Sequence, residues 1–214
     1  MGSTIADIRK DYKLHSLNET DVAADPTEQF TRWWDDAVKS EIEEVNAMTL
    51  ATINEAGFPA ARIVLLKGYD AKGFVFFTNY QSHKGKELAK NPRACLVFFW
   101  KELERQVRIE GIVEKIPAAE SEEYFQSRPV GSRIGAWASP QSIVISGREV
   151  IEQNVTDLEK VYGNGPVPRP EHWGGYIVKP ISIEFWQGRS NRLHDRILYT
   201  AQNDLQWKIE RLAP

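Results

Sequence analysis

The sequence holds a single cysteine, Cys95, in 214 residues. One thiol closes no intrachain disulfide and builds no multi-cysteine zinc site, so a reducing, cytoplasmic setting is the simplest expectation. Long apolar runs are also lacking. The longest, Ala94 to Trp100, falls far short of the roughly 20 residues a helix needs to span a bilayer. The first thirty residues mix Asp, Lys, Arg and Glu where a signal peptide would carry an apolar core, and Ala6 stands where a myristoylation start wants Ser or Thr. No membrane partner is expected. An excess of positive charge is missing too: 27 Lys plus Arg face 30 Asp plus Glu, a net charge of -3, which removes the electrostatic case for nucleic-acid binding. The dinucleotide-binding G-x-G-x-x-G, the P-loop, G-x-S-x-G and H-E-x-x-H are all absent. His15, His83, His172 and His194 are too dispersed to form a metal site.

What is present is ordinary globular material, 42% hydrophobic and 27% charged. Residues 1–25 are polar and end at Asp25-Pro26, which reads as a flexible N-terminal arm with one helical turn around Ile5 to Tyr12. Phe30, Trp33, Trp34, Ala37, Val38 and Ile42 recur at helical spacing across Glu28 to Val45. A three-stranded meander follows at Met48 to Ile53, Ala60 to Tyr69 and Phe74 to Thr78, punctuated by turn sequences at Asn54 to Gly57 and Asp70 to Gly73. Further on come a helix at Ser82 to Lys90, strands at Arg93 to Trp100 and Arg105 to Ile116, and a helix at Pro117 to Ser127. A broken stretch over Gly131 to Pro140, a helix at Gly147 to Tyr162 and a loop at Gly163 to Pro170 lead to strands at Gly175 to Gln187, Leu193 to Thr200 and Gln206 to Leu212, with a turn at Gln202 to Asp204. Hairpin-linked strands with helices inserted predict a mainly β, α+β chain: an antiparallel barrel with peripheral helices, residues 26–214 forming one domain.

Several constellations could hold an anionic, flat ligand. Arg62 and Lys67 bracket an apolar strand, although strict alternation puts them on opposite faces. Arg192, His194 and Arg196 share a face if their segment is a strand, and three such groups repel unless an anion sits among them. Trp186 lies on the polar face of its strand as a candidate aromatic wall. Tyr124 and Arg128 are one helical turn apart, with Ser132 just past Pro129, a set able to surround a phosphate. Ser82-His83-Lys84 opens a helix, and Gln106 shares a strand face with Arg108. With no nucleophile and no metal site, this pattern favours an organic cofactor that carries the chemistry.

Seven segments resemble the pyridoxine/pyridoxamine 5'-phosphate oxidase family. They are Arg62 to Lys67, Glu104 to Val107, Ser127 to Pro129, Ile134 to Trp137, Trp173 to Gly175, Ile183 to Gly188 and Arg192 to Arg196. The likeness runs in order from about Ile8 to Pro214. It implies an FMN-binding split β-barrel and a homodimer with FMN at the subunit interface. The implied reaction is oxidation of pyridoxine or pyridoxamine 5'-phosphate to pyridoxal 5'-phosphate, with O2 becoming H2O2.

Carried over by position, the resemblance implies FMN contacts from Arg62, Ile63, Val64, Leu65, Leu66 and Lys67, from Phe77, Thr78, His83 and Lys84, and from Gln106, Gln141, Ser142, Trp186 and Arg196. It implies that the substrate phosphate meets Lys67, Tyr124, Arg128 and Ser132. Arg192, Leu193 and His194 would hold the pyridine ring, with Arg192 and His194 as the catalytic pair, and the arm residues Arg9, Lys10, Asp11 and Tyr12 would close over it. His83 and Phe77 depart from the family pattern, which often has Arg and Tyr there. Two other readings compete: a split-barrel flavin reductase of different specificity, and a non-catalytic protein that stores FMN or pyridoxal phosphate. The set Tyr124, Arg128, Ser132, Arg192 and His194 argues against the reductase, which has no reason to carry those residues together, while the storage protein predicts ligand in the purified protein without turnover.

Overall fold

The computed structural model describes residues 4–163, 165–203 and 206–214. Met1 and Gly2, Asn164 in the Gly163 to Pro170 loop, and Asp204 in the last turn lie outside them. Among the described residues are nine strands and five α-helices. The strands are β1 (Ala47–Ile53), β2 (Pro59–Leu65), β3 (Gly68–Asp70), β4 (Gly73–Asn79), β5 (Arg93–Trp100), β6 (Arg105–Lys115), β7 (Trp173–Gln187), β8 (Asp195–Ala201) and β9 (Trp207–Arg211). The helices are α1 (Pro26–Lys39), α2 (His83–Lys90), α3 (Ala118–Ser127), α4 (Val130–Ala138) and α5 (Arg148–Tyr162). The strands hydrogen-bond in the order β2-β1-β5-β6-β7-β4-β3, with β8 on β7 and β9 on β8. The chain divides into two compact units, and β1, β5, β6 and β7 each contribute residues to both.

The first unit comprises Met1–Leu50, Cys95–Gly111 and Pro180–Pro214. Its helix α1 starts where the Asp25 carboxylate accepts from the amides of Thr27 and Glu28, with Pro26 in the first turn, where its missing N–H costs nothing. Phe30, Trp33 and Ala37, at three-and-four spacing, form the buried face. Phe30 packs on Phe98 at 5.3 Å between ring centres, and Trp33 meets Phe185 edge-on at 5.2 Å. The expectation that this helix reaches Val45 is corrected. It stops at Lys39, and Glu41 and Glu44 adopt left-handed backbone at φ 52° and 47°, which no α-helix accommodates. On β8, Tyr199 is fully buried, and its hydroxyl donates to the Ala23 carbonyl at 2.7 Å.

The second unit comprises Ala51–Ala94 and Ile112–Lys179. Here the predicted meander is corrected. The Ala60 to Tyr69 strand breaks after Leu65, β3 forms a short hairpin with β4, and β4 then pairs with β7 from Phe74 opposite Val178 to Asn79 opposite Trp173. Alternation along β4 buries Phe74, Phe76 and Thr78 on one side and turns Phe77 to the other. A core of Phe125, Ile134, Val167 and Trp173 lies beneath Phe77 and Tyr124.

The expected break over Gly131 to Pro140 is also corrected: residues Val130–Ala138 form α4. Pro129 at its N-cap loses nothing by lacking an N–H, its carbonyl accepts from Ser132 and Arg133, and Ile134 and Ala138 bury one face. The two glycines that suggested a break, Gly131 and Gly135, sit in open surroundings.

Candidate active site

The elbow between α3 and α4 builds the core of one cleft. Tyr124 stands in the last turn of α3, Arg128 caps that helix in an extended conformation at φ -75° and ψ 150°, and Ser132 lies in the first turn of α4. The extended backbone is what a residue before proline adopts, so Pro129 sets the angle at which these side chains converge. Tyr124 stacks on Phe77 at 3.9 Å, and the Arg128 guanidinium lies 4.6 Å over the Trp173 ring. Burial pushes the Arg128 guanidinium below its ordinary pKa, opposed by Tyr124. Its Nη1 is buried and makes no hydrogen bond.

These residues line a cleft of about 680 Å³ together with Ile63, Val64, Leu65, Lys67, Thr78, Lys84 and Gln141. Thr78 comes from β4 and Lys84 from the first turn of α2, where Lys84 Nζ lies 3.3 Å from Thr78 Oγ1. Burial lowers the Lys84 ammonium from its usual value, and nearby Arg62 adds to that while Glu87 opposes it. The cleft thus carries three cations, Lys67, Lys84 and Arg128, and no carboxylate among its described lining, within a chain of net negative charge. A partnerless buried guanidinium N–H and the Lys67 ammonium, which has no ion-pair partner among the described residues, are the donor set a phosphorylated ligand needs, and the Phe77, Tyr124 and Trp173 rings suit a flat one.

Other predicted cofactor contacts are placed differently. Arg62 leaves the cleft lining: it bonds to Thr52 and pairs with Glu87 at 2.8 Å. The parity argument about Arg62 and Lys67 fails because β2 ends at Leu65. Leu66 is buried, and the exposed His83 and Ser142 are outside the lining, Ser142 with φ 71°.

In the first unit a second cleft, of about 630 Å³, gathers Ile8, Arg9, Lys10, Asp11 and Tyr12 of the arm with Arg189, Asn191, Arg192 and His194. The predicted common strand face of Arg192, His194 and Arg196 is corrected. Arg192 belongs to a 3₁₀ turn at Ser190–Arg192 with φ 63°, and His194 precedes β8. Both still reach this cleft, because the turn folds their segment back on the arm. Arg196 does not: its guanidinium is taken up by Glu184 at 2.7 and 3.2 Å and by the Ala213 carbonyl. Leu193 is exposed outside the cleft lining. Trp186 packs at 4.5 Å on the His194 ring, and Gln106 and Arg108 share the half-buried face of β6, Arg108 bonding Glu184 at 2.6 Å.

The Nδ1 of His194 accepts the Arg189 amide at 3.1 Å, which leaves the ring's proton on Nε2. Burial, then the Arg192 charge, depress its pKa against the pull of Asp195. The imidazole is therefore a neutral single donor near pH 7, beside a guanidinium, Arg192, that has no ion-pair partner among the described residues. Sequence reading gave no role to Trp173, Arg189 or Glu104. Trp173, a large aromatic beside Gly174-Gly175, and Glu104 both lie in segments that carry the family resemblance, and nothing local marked Arg189.

The fold is an antiparallel sheet with peripheral helices, and its cationic, aromatic-walled cleft has the donors and rings to suit a phosphorylated, planar ligand; among the described residues no group that could hold a metal ion is found. The pyridoxamine 5'-phosphate oxidase family model matches residues 34–162, and a model of the pyridoxine 5'-phosphate oxidase C-terminal dimerisation region matches residues 173–214. The chain belongs to the pyridoxamine 5'-phosphate oxidase family. It is 60% identical over 214 residues, all of both chains, to a pyridoxine/pyridoxamine 5'-phosphate oxidase of Cyanothece sp.. It is 61% identical over 210 residues to one of Thermosynechococcus vestitus, covering 98% of this chain and 99% of the relative. Among solved structures, PhzG from Burkholderia lata in complex with tetrahydrophenazine-1-carboxylic acid superposes with a TM-score of 0.85 at 29% identity, covering 91% of this chain and 95% of that one. A pyridoxamine 5'-phosphate oxidase-related, FMN-binding protein of Nostoc punctiforme shares the fold at a TM-score of 0.70 and 18% identity, with 90% and 100% coverage.

Proposed function

We propose that the chain is an oxidoreductase that converts pyridoxine 5'-phosphate and pyridoxamine 5'-phosphate to pyridoxal 5'-phosphate, with FMN as cofactor and O2 as acceptor. Pyridoxine phosphate and O2 give pyridoxal phosphate and H2O2; pyridoxamine phosphate also consumes water and releases ammonia. The observation that carries the reading is the buried, partnerless Nη1 of Arg128 beside Tyr124, Ser132 and Lys67. A chain accepts the cost of an unsatisfied buried donor where a ligand completes it. When bound, FMN supplies a hydride acceptor and a route for electrons to oxygen.

The chain's own task is placement. Lys67, Tyr124, Arg128 and Ser132 bind the substrate phosphate, while Lys84, Thr78 and Gln141 with the 63–65 backbone hold FMN. Arg192 and the Nε2–H of His194 orient the pyridine ring, and Arg9 to Tyr12 exclude water from it. The protein works as a homodimer with FMN at the subunit interface, residues 1–25 serving as an arm on a single functional domain of residues 26–214. Such a protein needs no membrane and no nucleic acid, and the cytoplasm suits its lone thiol.

Anaerobic addition of pyridoxine 5'-phosphate to the FMN-loaded protein tests this. Bleaching of the flavin band, recovery on admitting air, and appearance of pyridoxal phosphate are expected. A bound flavin that stays oxidised overturns the assignment and directs attention to nicotinamide donors, the reductase alternative.

A further inference from the structure

The buried carboxylate of Glu104 has no place in the roles assigned so far. The residue follows a 3₁₀ turn at Lys101–Leu103 and adopts left-handed backbone at φ 56°. Its main chain serves the sheet: the carbonyl accepts from the Gly188 amide at 2.7 Å and from Gln187 Nε2 at 3.2 Å. Its side chain, 2% exposed, bonds among the described residues to the arm alone. One carboxylate oxygen accepts the Lys13 amide at 2.8 Å and the Leu14 amide at 3.2 Å, and the other lies 3.1 Å from Lys10 Nζ. Main-chain and side-chain functions are therefore separable.

The consequence falls on Tyr12, the residue between these contacts. Its ring meets Trp186 edge-on at 5.9 Å and lies 6.0 Å from the His194 ring, while its carbonyl accepts from Ser190 Oγ. The seat is cut to fit: a Cβ at Gly188 would come within 2.7 to 2.9 Å of the Tyr12 side chain. The Lys13 and Leu14 amides tie the backbone just after Tyr12 to one buried anion, the Lys10 ammonium adds a side-chain contact from before it, and charge-assisted bonds of this kind are about twice as strong as neutral ones.

We propose that Glu104 is a positioning residue that anchors the arm so that Tyr12 is seated against Trp186 and His194, completing the wall of the substrate cleft. The catalytic part of this inference rests on the oxidase reading. The anchoring part does not.

The test uses the FMN-loaded full chain and the variant Glu104→Asn, which tolerates left-handed backbone but is one methylene too short and uncharged. Hydrogen exchange at the Lys13 and Leu14 amides is expected to lose its protection. The KM for pyridoxine 5'-phosphate is expected to rise about tenfold, or ~1.4 kcal/mol, with kcat changed less than about threefold. Because Glu104 acts through Tyr12, adding Glu104→Asn to Tyr12→Ala is expected to raise KM no further, a coupling a merely structural role would not produce. Glu104→Gln keeps an oxygen for the two amides and is expected to restore most of their protection; it serves as the probe if the Asn variant does not fold, its KM then lying between those of wild type and Tyr12→Ala. Unchanged amide protection, or KM effects of Glu104 and Tyr12 that add in full, overturns the proposal. A wild-type protein that does not oxidise the substrate instead refutes the activity, and the exchange data still judge the anchor by themselves.

Discussion

Replacing Arg128 with Met separates ligand binding from stability, because the first falls steeply while the second changes little. The Met stem keeps the packing on Trp173 and Phe125 but removes the guanidinium, whose Nη1 is buried without a partner. Loss of the two cation–π contacts costs about 0.5–1 kcal/mol each, or about 1–2 kcal/mol together. Removing an unsatisfied buried donor returns about 1–3 kcal/mol. The ligand-free variant is therefore expected to lie between about 1 kcal/mol less and about 2 kcal/mol more stable than the parent by denaturant titration. A phosphate loses one charge-assisted bond worth about 1.5–3 kcal/mol, so KM for pyridoxine 5'-phosphate is expected to rise about 10- to 150-fold. Steady-state kinetics at saturating FMN reads the second effect. A KM within threefold of the parent, or a loss of stability above about 1.5 kcal/mol, would show that Arg128 is a structural cation and refute the reasoning.

Arg192→Ala is expected to lower turnover at least tenfold while FMN content stays at the parent level, because Arg192 lies in the arm-side cleft; equal turnover removes it from the site. Gly73 has φ 147°, and a Cβ there would run into the Val178 carbonyl, so Gly73→Ala is expected to destabilise by more than about 2 kcal/mol in a denaturant melt. Burial alone would raise the Glu184 carboxyl, but hydrogen bonds from Arg196 and Arg108 outweigh it and hold it below 4.5. A depressed acid contributes stability that is present above its unfolded value and lost as pH falls through the folded one. Stability below pH 4.5 should therefore fall less steeply in Glu184→Gln than in the parent, and parallel slopes would rule the pair out as a source of acid sensitivity.

Hydrophobic period carried the fold a long way in the sequence. The three-and-four spacing of Phe30, Trp33 and Ala37 located α1, and alternation located β5 and β6 nearly to the residue. The failures share a cause. Glycines at 131 and 135 read as breaks, but a helix tolerates them when Pro129 starts it and Ile134 and Ala138 have a core to enter. Partner choice was equally hidden: Phe74 to Asn79 pair with strand residues about a hundred positions away, and local turn signals speak only for neighbours.

The same distance problem governs the site. Sequence shows every cation but not which of them a remote carboxylate has already neutralised. Arg62 is taken by Glu87, Arg105 by Asp36 and Arg196 by Glu184, so the cluster of Arg192, His194 and Arg196 loses a member that spacing alone had recommended. Lys67, Arg128 and Arg192 have no such partner among the described residues, and all three line clefts. The free positive charge of the clefts follows from acids placed elsewhere as much as from cations placed in them. An acid introduced beside Arg128, as in Ser132→Asp, is therefore expected to raise the KM for pyridoxine 5'-phosphate at least as far as Arg128→Met does, read by the same steady-state kinetics.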